Sequence, residues 1–417
     1  MYNRPDPRFN PMVLQPYVEQ PRMDGQFLIN YTLHKKREQL PGYEIPQVSE
    51  IFDGTAMFAN AAVNPTEITV FRFLDSSMAR YAYDGQNYRE SAVSLTEAAC
   101  HVAKLRFICF TPSFVDVGFE KLPKFDIYKW QNEVQWKTVY IFNGKNEVVG
   151  LDRDVQQIMK KILKGLQGLH GVNWCHGNLL HGYWFNTDHN LNAEVRFINF
   201  GGADDLAAGI KKDMKDFKDL LDWVIEANSP YTCNPMAQVH FWPPTDVHGF
   251  GEHVTKLIHE MDFETLRRKA YFIYNHPVFN NAVENYTLLQ KIYSIKIQKR
   301  NKFDKEVTLI EFSNWHKRVQ YGSYFWNDLK QNLQLYQGKP TYLLDFHINA
   351  VKHHKANNLG EETEDDDPKV ICEELQYLFP GFVGVLYTEY AAFNTTNVQP
   401  WMESNDQLLE SGIYAIN

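Results

Sequence analysis

Cysteine is scarce in this chain. There are five in 417 residues (Cys100, Cys109, Cys175, Cys233 and Cys372), and none stands in C-x-x-C spacing. An odd, scattered set of this kind argues against a disulfide framework and favours a reducing compartment. Long apolar runs are missing as well. No stretch approaches the roughly 20 apolar residues that a membrane-spanning helix needs, and no signal peptide is recognisable. A cytoplasmic protein without membrane contact is the expectation. Positive charge is also in short supply: 42 Lys and Arg stand against 51 Asp and Glu, a net charge of -9. This is not the bulk signature of a nucleic-acid binder, so any RNA contact has to be local or helped by dimerisation. Internal repeats are absent.

What remains is an ordinary globular composition, 44% hydrophobic and 22% charged. The length exceeds what one hydrophobic core supports and points to two or three domains. Residues 1–46 carry seven prolines (Pro5, Pro7, Pro11, Pro16, Pro21, Pro41 and Pro46) and no clear period. They read as an extended arm, either disordered or lying over a neighbour. A strand-rich region follows, with strands expected over 67–74 and 137–142 from their β-branched and aromatic content. The period then changes. Val155, Ile158, Met159, Ile162, Leu163, Leu166 and Leu169 recur at helical spacing, between Asp152 as N-cap and Gly171 as C-cap. A short strand over 194–198 and a helix from about Asp213 come next. A further helix is expected over 285–300, followed by lysines. The run Glu361–Asp367 reads as a solvated acidic loop.

Two stretches carry a family resemblance. The first is Leu169-His-Gly-Val-Asn-Trp-Cys-His-Gly-Asn-Leu-Leu-His-Gly-Tyr-Trp-Phe-Asn186, with Val195-Arg-Phe-Ile-Asn-Phe-Gly201 after it. It resembles the catalytic loop and metal-binding turn of protein kinases, H-R-D-L-x-x-x-N and D-F-G. Position by position, the match shows what is gone. Asn178 stands at the catalytic base, Tyr183 at the Mg-binding Asn, and Asn199 at the Mg-binding Asp. Of the glycine-rich loop, sought over 52–63, only Gly54 remains. Arg72 takes the place of the phosphate-pairing Lys, with Glu97 as a weakly aligned helix partner; an ordinary surface ion pair is the competing reading for these two. Kinase catalysis is mostly positioning and metal electrostatics. The resemblance therefore implies a pseudokinase, with ATP and Mg binding doubtful and no metal or cofactor expected.

The second stretch opens at Asn275-His-Pro-Val-Phe279 and continues through Asn314-Trp-His316, Leu333-Gln-Leu-Tyr-Gln-Gly338, Tyr342–His354, Leu375–Phe382 and Val385–Tyr390. It resembles the KEN (kinase-extension nuclease) family, to which RNase L and the inositol-requiring stress sensor belong. The implied fold class is α+β: a bilobal protein-kinase-like fold followed by an all-α KEN domain. The implied division is an arm at 1–46, an N-lobe at 47–142, a C-lobe at 143–280, the KEN domain at 281–392 and a tail at 393–417. The family cleaves RNA without metal: the ribose 2′-OH attacks the adjacent phosphate and leaves a cyclic phosphate. The resemblance makes His353 the acid/base, suited to neutral pH. It places Asn349 one helical turn earlier on the same face, and Tyr336 at a tyrosine that contacts phosphate. One departure stands out. The family arginine before the Asn is Ile348, which offers no phosphate contact. His347, Lys352, His354 and Lys355 are the nearby candidates for a replacement charge.

Two functions follow from the resemblance. One is a dimerisation-activated endoribonuclease acting on single-stranded RNA as a homodimer. The other is a catalytically silent scaffold or RNA-binding subunit, with residues 1–46 docking a protein partner.

Overall fold

The computed structural model describes residues 28–37, 47–59, 65–93, 101–122, 140–142, 148–179, 183–186, 194–198, 205–227, 245–319, 325, 336, 339–352 and 368–395. They form two compact units. One is drawn from Met1–Lys137 and Gln157–Cys233, the other from Thr138–Gln156 and Asn234–Asn417. The fold is mixed α+β.

The first unit is built on a five-stranded antiparallel sheet of β1 (Leu28–Arg37), β2 (Val48–Phe58), β3 (Thr66–Phe73), β4 (Leu105–Phe110) and β5 (Val115–Glu120). The strand order is β1-β2-β3-β5-β4. Helix α1 (Ser76–Val93) connects β3 to β4. Both faces of the sheet are apolar. Ile51, Phe71, Leu105 and Val117 pack with Ala79 of α1 on one side. Tyr31, Phe52, Val70 and Phe107 cluster on the other. A sheet covered on both faces needs no strict alternation, which is why Leu105–Phe110 reads as a nearly continuous apolar run.

β1 corrects the expectation of an arm over 1–46. Residues 28–37 lie in a proline-free gap between Pro21 and Pro41, and they are tied into the sheet. Arg37 donates to the Asp53 carboxylate at 2.6 and 2.9 Å, to the Thr69 hydroxyl at 3.1 Å and to the Leu122 carbonyl at 2.7 Å. Tyr31 donates to Asp116 at 2.8 Å. Gly54 also differs from its expected role. It sits inside β2, paired with Leu33 and Ile68, not in a phosphate loop. A Cβ there would stand 2.3 Å from the Thr32 carbonyl oxygen, so the close approach of β1 requires glycine.

Helix α2 (Arg153–Gly171) is where its apolar period placed it. Its end differs in detail. Gly171 closes the last turn, and Asn173 takes the left-handed conformation at φ 61. The hairpin of β8 (Tyr183–Asn186) and β9 (Glu194–Phe197) follows. Helix α3 runs over Leu206–Ala227. It therefore begins seven residues before Asp213, where the sequence suggested a start. Asp205 is the N-terminal cap, accepting from the Ala208 amide at 2.7 Å. Asp213 lies inside the helix, fully buried.

The second unit holds a small hairpin, β6 (Tyr140–Phe142) with β7 (Val148–Leu151), and a set of helices. These are α4 (Thr245–Ile258), α5 (Phe263–Tyr274), α6 (Ala282–Gln298), α7 (Arg300–Glu306), α8 (Tyr342–Lys352), α9 (Pro368–Leu378) and α10 (Phe382–Thr395). Of the strand expected over 137–142, Tyr140–Phe142 is present and clusters with this unit, and 137–139 lie outside the described residues. Helix α6 starts three residues earlier than its apolar stripe, because Asn281 and Glu284 form a reciprocal capping box. The core is aromatic. Trp315, buried to 2% exposure, packs against Phe346 at 5.0 Å, Tyr336 at 5.9 Å and Phe379 at 6.1 Å between ring centres. Among the described residues no helix is long and apolar enough to cross a membrane.

Candidate functional site

Helix α8 carries the residues that the sequence marks for nuclease chemistry. Its two sides differ sharply. Leu343, Leu344, Phe346, His347, Ile348 and Ala350 are buried, while Tyr342, Asp345, Asn349 and Lys352 reach the surface to different degrees. The second set recurs at intervals of three and four, the outer stripe of a helix packed on a core.

Two expected site residues come together. The Asn349 side-chain amide donates to the Tyr336 hydroxyl at 2.9 Å, across 13 residues of sequence. Tyr336 is only 4% exposed. Its ring is wedged edge-on against Trp315 and Phe346. The aromatic core thus fixes the tyrosine, and the tyrosine in turn fixes the half-buried amide. His353 lies outside the described residues, one position past the end of α8. Glu97 and Asn199 also lie outside them, as do His354 and Lys355. Tyr183 is described in its backbone alone, where it pairs with Phe197.

Ile348 is fully buried in the aromatic and aliphatic core of this unit. It is not an apolar residue standing at an otherwise open phosphate site. His347 cannot supply the missing charge either. It is 4% exposed, its Nδ1 bonds the Leu343 carbonyl at 2.9 Å, and its ring stacks on Phe382 at 4.6 Å. Burial holds its pKa down at about 4, so the ring is neutral near pH 7. It lines a solvent-open cleft of about 490 Å³ together with Asn285, Cys372 and Phe379. Lys352, in contrast, is exposed, with its ammonium 5.7 Å from the ring centre of Tyr293.

A buried ion cluster supports the start of α8, and no single stretch of sequence displays it. Lys296 of α6 is 2% exposed. It donates to the Thr341 carbonyl at 2.9 Å and to the Asp345 carboxylate, with Asp304 further off at 3.9 Å. Burial pushes the Lys296 pKa down and the Asp345 pKa up, while their pairing opposes both shifts. The pair is neutral overall wherever the proton sits. Only the lysine-rich run after the α6 stripe hinted at charge here, and it could not show which lysine turns inward.

In the first unit, the loop resembling a kinase catalytic loop is pinned from below. The buried Asp213 carboxylate accepts from the backbone amides of His176 at 2.7 Å and Gly177 at 2.6 Å, and it bonds His170 Nε2 at 2.8 Å. Burial raises the Asp213 pKa, but the His170 bond and the surrounding donors outweigh it and hold the carboxyl below its usual range. His176 Nε2 bonds the Ile198 carbonyl at 3.1 Å, one residue before Asn199. Gly177 takes φ 71, a left-handed conformation that favours glycine. The Asn178 amide N–H donates to His176 Nδ1 at 3.2 Å.

Arg72 on β3 has its guanidinium occupied. It makes two 2.8 Å bonds to the buried Asp116 carboxylate. It also lies over the Phe114 ring at 3.6 Å and stands 3.7 Å from Glu50. Burial lowers its pKa, and the Asp116 bonds and charge more than reverse that, so it stays charged. Its acidic partner comes from β5, next to it in the sheet. No group of three or more His, Cys, Asp or Glu side chains suited to a metal ion occurs among the described residues. Compared with protein families and with curated proteins, the chain matches none.

Proposed function

We propose that the chain is a pseudokinase joined to a KEN-type endoribonuclease domain, cleaving single-stranded RNA by 2′-OH attack without metal. The observation that carries the reading is the Asn349–Tyr336 hydrogen bond at 2.9 Å. These two positions were assigned from motif resemblance alone, and they meet on the half-exposed edge of one aromatic core. The first unit lends further support. Its five-stranded sheet has its connecting helix after the third strand, and a long helix, a pinned loop and a hairpin follow. That element order supports the kinase-like reading. In this reading Asn349 orients the scissile phosphate, and His353 exchanges the proton of the 2′-OH or of the leaving 5′-oxygen. The kinase-like part is silent: Arg72 is committed to Asp116, and the base and metal positions carry Asn178, Tyr183 and Asn199. It serves as a dimer platform.

The test is incubation of the purified chain with unstructured RNA in EDTA, beside His353→Ala. Cleavage leaving cyclic phosphate ends, lost in the variant, is the expected result. No cleavage at concentrations where the chain is dimeric would sink the reading. One observation favours the second reading, a scaffold or RNA-binding subunit. Ile348 is core, so the family arginine has been absorbed into packing, not merely neutralised.

A further inference from the structure

Although the chain is acidic overall, one segment reverses the balance. From Lys291 to Lys305 there are six basic residues and a single acid, Asp304. The acids within this neighbourhood are largely spent. Asp304 is 7% exposed at its side chain, and Asp345, at 20%, is paired with the buried Lys296. The cations of this neighbourhood point outward, two of them in ion pairs: Lys339 stands 3.4 Å from Asp304 and Lys302 3.9 Å from Glu306. Lys339 is 53% exposed and Lys302 46%. Arg300, also exposed, bonds the Tyr342 hydroxyl, with its guanidinium 6.0 Å from the ring centre. Lys339 stands 5.7 Å from the same ring. At the other end of the outer stripe of α8, Lys352 stands over Tyr293. Tyr342 and Lys352 are ten residues apart on one helix, about 15 Å, and Asn349 lies between them.

We propose that this stripe is a docking track for the phosphates of single-stranded RNA, gripped by Lys339 and Arg300 at one end and by Lys352 at the other. The choice of RNA rests on the nuclease reading above. A length of about 15 Å spans a few phosphates of an extended single strand. Cations interleaved with half-exposed aromatic rings, here Tyr342 and Tyr293, are the arrangement that holds single strands, because phosphates meet charge while bases meet rings. Lys352 thereby supplies, from the solvent face, the positive charge that Ile348 does not. The net negative charge elsewhere confines the polyanion to this track.

The experiment measures binding of a fluorescein-labelled uridine 20-mer in EDTA, across a salt series, for wild type, Arg300→Glu/Lys339→Glu/Lys352→Glu and Lys369→Glu. Lys369 is an exposed residue of α9 outside the track. Neutral Lys339→Gln and Lys352→Gln variants guard against a folding defect in the triple change. The expected result is at least a tenfold loss for the triple variant and less than a twofold loss for Lys369→Glu. Each Gln variant loses two- to fivefold, and the log–log salt slope shrinks by about 0.7 for each lost phosphate contact. Three results would overturn the proposal: no binding by wild type, equal loss in the Lys369→Glu control, or displacement of the RNA by polyglutamate as effectively as by unlabelled RNA. Cleavage is scored separately. Track-dependent binding without cleavage leaves the docking surface standing and removes the nuclease. Cleavage with unaltered binding in the triple variant does the opposite.

Discussion

Ile348 and Asn349 are adjacent on α8, yet the helix turns one into the core and the other to the edge. From the sequence, Ile348→Arg looks like a restoration of a family residue. From its full burial it is the insertion of an unpaired charge among Trp315, Phe346 and their neighbours. Ile348→Arg is expected to cost more than about 3 kcal/mol, and Ile348→Val about 1 kcal/mol. Urea denaturation read at tryptophan fluorescence checks this; an Arg variant as stable as wild type would show that the position can open to solvent. Tyr336→Phe leaves the aromatic packing and removes the acceptor for the Asn349 amide. It should cost about 1 kcal/mol, and under the nuclease reading it lowers cleavage without changing RNA affinity. Equal loss of affinity and rate in that variant would speak against a role in orienting Asn349.

At the scale of elements, the loop after α2 is held by α3 as well as by its own local bonds. Asp213 bonds two buried backbone amides and a buried histidine. Asp213→Ala removes all three bonds, and a loss of about 3 kcal/mol follows. Asp213→Asn keeps one acceptor oxygen and should lose less. Hydrogen exchange at the His176 and Gly177 amides reads the effect directly, since both should exchange faster in either variant; unchanged protection would mean the loop is held by other contacts. The element boundaries that the apolar periods missed share one cause. Helices α3 and α6 both start before the apolar stripes that announced them, because Asp205 and the Asn281–Glu284 box fix the ends by capping bonds. Periodicity reports a buried face, whereas caps report where the backbone needs partners.

For the molecule as a whole, the second unit buries histidines that only the neutral form satisfies. Burial, then the Lys256 charge, lowers the pKa of His253 to about 4. Burial alone lowers that of His347 to about 4. Burial, then His253, lowers that of His276 well below its usual value. Each folded pKa lies below the unfolded value near 6.5, so the unfolded chain binds more protons in between. Stability is therefore full above pH 6.5 and is lost as the pH falls toward 4. For the deeply buried His347 the complete loss is about 3 kcal/mol. Melting of the whole chain from pH 7.5 to 4.5 should show a falling transition. His276→Asn keeps an acceptor for the Val278 amide, which His276 caps, and should flatten the curve. A transition independent of pH would refute the assignment.

The sequence alone decided the helices with uninterrupted apolar periods, α2 above all, and its family resemblance singled out Asn349 and Tyr336 as candidate site residues. Those features are local or rest on short motifs, and local chemistry is what a sequence displays. Tertiary structure decided the rest. It drew Leu28–Arg37 out of the supposed arm, because the partners of Arg37 and Tyr31 lie 16 to 85 residues away. It gave Arg72 to Asp116 on a paired strand. It turned Lys296 inward and left Lys339, Arg300 and Lys352 facing water, though all four look alike in a list of charges. Burial is a property of the packed chain, and burial is what separates a structural cation from one able to meet a phosphate.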